Sequence, residues 1–133
     1  MNVKIKFEEL ANFVESVYLV RPQFLHVDNK TFEVTCKPGI FLPPMTIKLT
    51  IEAVRKDVVC MSYVCSQAVS VLIANTLEYF GDNKPHGFEV QTDDKRINLY
   101  LEHIDKIEKV VEHVQLSGIE IHEGEVELTA TLL

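Results

Sequence analysis

VKIKFEELANFVESV at residues 3–17 and INLYLEHIDKIEKVV at residues 97–111 carry one pattern twice, at an offset of 94 residues. Val3, Ile5, Phe7, Leu10, Phe13 and Val17 fall on Ile97, Leu99, Leu101, Ile104, Ile107 and Val111. In each stretch a two-residue alternation gives way to apolar residues at three- and four-residue steps, which predicts a strand running into an amphipathic helix. The match continues without a gap. Leu25, Val27, Phe32, Val34 and Cys36 fall on Ile119, Ile121, Val126, Leu128 and Ala130, with Glu8/Glu102, Glu33/Glu127 and Thr35/Thr129 identical. Both copies spell strand, helix, strand, hairpin, strand, so an internal duplication of units at about 3–36 and 97–130 frames every other reading.

Within the first copy, Glu8 and Glu9 stand in the first helical turn, where the helix dipole favours negative charge, and Pro22 ends the helix at the latest. Phe24 to Asp28 and Thr31 to Cys36 read as a hairpin turning at Asn29-Lys30. In the second copy the helix carries Ile104, Ile107, Val110, Val111 and Val114, and the last hairpin turns at Glu123-Gly124.

Between the copies lies a strand-strand-helix segment at 45–80. Met45, Ile47, Leu49, Ile51 and Ala53 alternate with Thr46, Lys48, Thr50 and Glu52, so one face of that strand is wet. After Arg55-Lys56-Asp57, residues Val58 to Cys65 are apolar on both faces except for Ser62, as in a central, covered strand. Ser66 suits a helix N-cap, and behind it Val69, Leu72, Ile73, Thr76, Leu77 and Phe80 form a stripe closed by Gly81 and Asp82-Asn83-Lys84-Pro85. Strands follow at Phe88 to Gln91 and Arg96 to Leu101, across the polar Thr92 to Lys95 turn. Three helices and seven or eight strands predict an α+β fold: a long, twisted, largely antiparallel sheet curled around amphipathic helices.

Composition narrows the function. A chain of 133 residues, 47% hydrophobic, suffices for a single domain spanning 1–133. Twenty acidic against 13 basic residues give a net charge of −7, a field that repels nucleic acid. No apolar run reaches the length of a transmembrane segment, and Lys4, Lys6, Glu8, Glu9 and Glu15 interrupt the start of the chain. Three cysteines, an odd number, argue against a disulfide framework. The expectation is a soluble, cytoplasmic protein.

The run from Ile97 to Leu132, a strand, a charged amphipathic helix and then VQLSGIEIHEGEVELTATL, resembles the closing segment of small bacterial proteins of the tubular lipid-binding superfamily. The helix from Ser66 to Phe80 stands where such proteins place a helix inside a curved sheet. The resemblance covers about a third of the chain, and its pattern is apolar alternation without a signature residue. It implies a cylinder-like sheet and a site for an acyl chain or similar apolar body. Many members carry an export leader or a membrane anchor, which this sequence does not show.

Catalytic chemistry finds little support. The five histidines, His26, His86, His103, His113 and His122, never pair at a spacing that sets two on one helix or strand face beside a third ligand, so no metal or cofactor is expected. His86, between Pro85 and Gly87, is the best enzyme candidate, yet it has no partnered nucleophile. Cys36 aligns with Ala130, a place for a small buried side chain, and Cys60 and Cys65 sit in the most apolar strand, where burial quiets a thiol. No glycine-rich phosphate loop or nucleophile elbow occurs.

Two features remain as binding candidates. The apolar loop Gly39 to Met45 carries Ile40, Phe41 and Leu42 with no period to bury them; it either contacts a ligand, membrane or partner, or folds back as a lid. The helix stripe of Val69, Leu72, Ile73 and Leu77, with Met45, Met61 and Tyr63 from flanking strands, is rich enough to line a pocket, methionine being adaptable. The expected ligand site is therefore Phe41, Met45, Met61, Val69, Leu72, Ile73 and Leu77. The expected function is non-enzymatic binding of a lipid or acyl-like ligand between curved sheet and helix. The alternative is a protein-interaction or self-assembly domain using the apolar loop, or the uncharged TATLL end as an edge strand, to form a homo-oligomer.

Overall fold

The computed structural model describes residues 1–18, 20–37, 44–55, 58–80, 87–101 and 112–133. Their order is β1 (Asn2–Lys6), α1 (Phe7–Tyr18), β2 (Gln23–His26), β3 (Thr31–Cys36), β4 (Met45–Arg55), β5 (Val58–Val64), α2 (Gln67–Phe80), β6 (Phe88–Gln91), β7 (Arg96–Tyr100), β8 (Val114–His122) and β9 (Glu125–Leu132). All strand pairs are antiparallel. The fold is α+β and mostly antiparallel sheet.

The strands form two sheets, one of six in the order β2-β3-β4-β5-β7-β6 and one of three in the order β1-β9-β8. The expected single long sheet is thus divided, and two bulges help to turn it. In β4 the register shifts between Ile51 and Ala53, and in β8 between Leu116 and Gly118. One extra residue in each strand resets the alternation, so that Ile51 and then Val54, or Leu116 and then Ile119, face the same core. Ala53, expected on the inner face, gives that place to Val54. The loop after β2 straps the sheets together. Ile51 N–H donates to the Lys30 carbonyl at 2.8 Å, and Ile121 N–H to the Asn29 carbonyl at 2.8 Å. The Lys30 ammonium donates to the Ile119 carbonyl at 2.7 Å.

The helix starts follow their caps. Lys6 N–H donates to Glu9 Oε1, the returning half of a capping box, and Val69 N–H donates to Ser66 Oγ. α1 packs on β1 and β2, whereas α2 touches chiefly β4. The buried core of Ile51, Val59, Leu116, Ile119 and Ile121 is built from both sheets and contains no α2 side chain among the described residues. The expected helix over Ile104–Val111 lies outside the described residues, and Val114, placed in that helix by its spacing, opens β8 instead. Strand β9 is paired with β8 along its length and with β1 only as far as Thr129, so that Thr131 to Leu133, at the TATLL end, have a strand on the β8 side alone. Its last residues are paired: Ala130 N–H donates to the Met1 carbonyl and Leu133 N–H to that of His113.

Candidate functional site

A cavity of about 320 Å³ lies between the two sheets. The six-stranded sheet supplies Phe32, Leu49, Ile51, Val59, Met61 and Leu99 among others, and the three-stranded sheet supplies Ile5, Leu116, Ile119, Ile121, Val126 and Leu128. Phe7 and Leu10 close it from the start of α1. Every described lining residue is apolar. Phe24 holds the rim of a tilted aromatic run, its ring centroid 5.8 Å from Phe7 and 6.2 Å from Phe32. Such rings give a rigid wall with a large contact area.

This volume is large for an interior that should be close-packed. At about 24 cal/mol per Å³ of void, the 320 Å³ would cost about 8 kcal/mol if closed and empty, comparable with the whole stability of a small domain. The cavity is partly open, which lowers that figure. The described walls of the cavity offer shape and dispersion to whatever enters.

Of the residues expected at a ligand site, Met61 is among those that line this cavity. Met45, Val69, Leu72 and Ile73 are placed elsewhere: Met45 begins β4, while Val69, Leu72 and Ile73 belong to α2, none of whose described side chains reaches the cavity. Phe41 and the Leu77 side chain fall outside the described residues, as do His86 and His103. The stripe on α2 includes a buried Val69, but Val71 and Leu72 are exposed. The liners absent from that expectation, Ile5, Phe7, Phe32, Val34, Leu99, Leu101, Val126 and Leu128, are apolar positions that match one another in the sequence at the 94-residue offset.

On the outer face of β8 and β9 the described residues bring together Glu120, His122 and Glu127, with ligand-type atoms within 4.8 Å of one another. The two-residue turn at Glu123-Gly124 places Glu120 opposite Glu127, and His122 follows Glu120 on the same face. A search confined to paired histidines misses this group. His122 Nε2 stands 3.7 Å from Glu120 and 3.9 Å from Glu127, and Lys4 Nζ stands 3.9 Å from both Glu125 and Glu127. One imidazole and two carboxylates are the donor types of a metal face. Here they are water-exposed and shared with an ammonium, and they behave as a surface ion-pair network.

Elsewhere, burial is the leading cause of a raised pKa at two side chains among the described residues. Burial pushes the Cys36 thiol up and away from thiolate. Burial also pushes the Tyr63 phenol up, with Cys65 adding to the effect. Compared with protein-family models, curated proteins and solved structures, the chain matches none.

Proposed function

We propose that this protein is a non-enzymatic binding module that holds an apolar, lipid- or acyl-like ligand between its two sheets. The observation that carries the proposal is the 320 Å³ cavity whose described walls are all apolar side chains. A ligand in that space would recover the dispersion contacts the walls lack. The reading accords with the resemblance to tubular lipid-binding proteins. It differs from the first expectation in placing the ligand beneath α1 rather than beside α2.

An internal duplication is part of the same proposal. Ile5 and Leu99, Phe7 and Leu101, Phe32 and Val126, and Val34 and Leu128 are pairs at the common offset, and both members of each line the cavity. Each copy would then contribute to both walls, with β4 and β5 of the intervening segment completing the six-stranded one. The three free cysteines suit a cytoplasmic site of action, where thiols stay reduced.

Extraction of purified protein with organic solvent, followed by mass spectrometry, tests the proposal. A stoichiometric apolar compound is the expected result. Recovery of none, together with no saturable uptake of naphthalene, rejects the reading. Exposed Val64, Val71 and Leu72 favour a second reading, a self-assembly or partner-docking domain built around α2. Light scattering on Phe41→Asp and on Leu72→Glu separates the two: loss of an oligomer supports assembly, and an unchanged monomer with normal naphthalene uptake opposes it.

A further inference from the structure

One polar atom beside the cavity is unexplained by packing. Tyr63 follows Val59 and Met61 at two-residue steps along β5 and so shares their inward face. It stands opposite Leu49 in the β4–β5 register. Val59, Met61 and Leu49 all line the cavity, which puts Tyr63 one pleat beyond its Met61 end. The residue is 2% exposed, yet its hydroxyl is buried with no hydrogen-bond partner among the described residues. Buried hydroxyls are almost always paired, because stripping one of water without replacing the bond is costly.

We propose that the Tyr63 hydroxyl is the polar contact of the bound ligand, which makes that ligand a chain amphiphile with a hydrogen-bond acceptor at one end, an alcohol or ester, in place of a bare hydrocarbon. The inference rests on the cavity reading above and adds a chemical class to it. The walls recognise the chain and have no polar side chain among the described residues. Tyr63 keeps its proton at neutral pH and therefore donates. Size bounds the chain. A cavity of about 150 Å³ accommodates benzene, so 320 Å³ suits about a dozen carbons. Met61, between Val59 and Tyr63 on the inward face of β5, is a flexible side chain able to adapt to a ligand that reaches the hydroxyl.

The test compares wild type with Tyr63→Phe by calorimetric titration of 1-decanol and of naphthalene, and by thermal melting of the free proteins. The expected result is a 3- to 10-fold weaker decanol affinity in the variant, the scale of one neutral hydrogen bond. Naphthalene affinity is expected to stay the same, and the free variant to melt at the same temperature as wild type or higher. Equal decanol affinities in the two proteins overturn the role of Tyr63 and leave the cavity reading standing. A free variant that melts lower than wild type also overturns it, since the hydroxyl then has a partner inside the protein. If neither probe binds wild type, the cavity reading itself fails and the inference falls with it.

Discussion

The hairpins β2–β3 and β8–β9 begin from aligned sequence, yet their first strands end with different faces inward while their second strands, β3 and β9, keep the same one. In the second, Ile119 stands opposite Leu128 and Ile121 opposite Val126, and all four line the cavity. In the first, Leu25 stands opposite Glu33 and Phe24 opposite Val34. Leu25 is 62% exposed and Val27 41% exposed, while Ile121, the aligned counterpart of Val27, is 1% exposed. The cause is a slip of one residue in pairing. The second hairpin closes on the two-residue turn Glu123-Gly124, and the first on a longer loop, Val27 to Lys30, held by the Asp28 carboxylate accepting from Lys30 N–H at 2.9 Å. A one-residue slip moves every side chain of a strand to the opposite face. Turn chemistry therefore overrides an apolar pattern that is otherwise the same, and the loop that causes the slip is the one that straps the sheets together.

The comparison can be broken most decisively at its centre. Ile121→Ala should cost about 2–5 kcal/mol, the range for a large buried aliphatic residue truncated to alanine. Leu25→Ala, at an aligned apolar position, should change stability by no more than about 0.5 kcal/mol. Urea denaturation of both variants checks this, and equal losses would show that the hairpins share a face after all. Next in size is Gly124→Ala. Gly124 has φ of +81° and nothing within 4 Å of a built Cβ, so the cost is purely that of the backbone, about 1–2 kcal/mol. A neutral outcome would mean that the tight turn does not set the register of β8 and β9.

A third variant sharpens the link to function. Leu128→Phe adds bulk to the cavity wall at the position aligned with Val34. It is expected to weaken naphthalene binding at least tenfold, about 1.4 kcal/mol, while leaving the urea midpoint within error of wild type. Lost stability with retained binding would place the probe elsewhere. The smallest effect is at Asp28, where hydrogen bonds, first from Lys30 N–H and then from Thr31, hold the carboxyl below its ordinary 3.8. A depressed folded value means that the ionised group stabilises the fold above about pH 3.8, and that this contribution is lost as pH falls through the lower folded value. The difference in stability between wild type and Asp28→Ala should therefore be constant at neutral pH and shrink in acid. A difference that grows in acid would contradict the loop's role.

Much of the fold is legible in the residues. The strands at Phe88–Gln91 and Arg96–Tyr100, the Ser66 cap and the Glu123-Gly124 turn all follow local rules of period and turn chemistry. The central place of Val58–Val64 follows from its apolar run, and β5 stands between β4 and β7; the cover expected on both faces is present on one, with Val59 and Tyr63 buried and Val64 exposed. Three things are not local and escape such rules. The bulges at Glu52 and Ser117 leave no composition signal, yet they decide that Val54 and Leu116 join the core. Hairpin register hides the exposure of Leu25. The position of α2 is a matter of tertiary packing, because an apolar stripe shows that a helix has a face to cover and says nothing of where that face lies. For the same reason the candidate site was only partly readable. Met61 sits on a strand whose inner face is fixed by alternation, whereas Leu72 and Ile73 depend on where their helix docks.

The central claim is that apolar matter enters between the two sheets, and methyl-resolved NMR during a naphthalene titration tests it most directly. Saturable shifts are expected for the methyls of Ile51, Met61, Ile119 and Ile121, with Val71 and Leu72 on α2 unmoved. Shifts confined to Val71 and Leu72, or the absence of any saturable shift, would contradict the account.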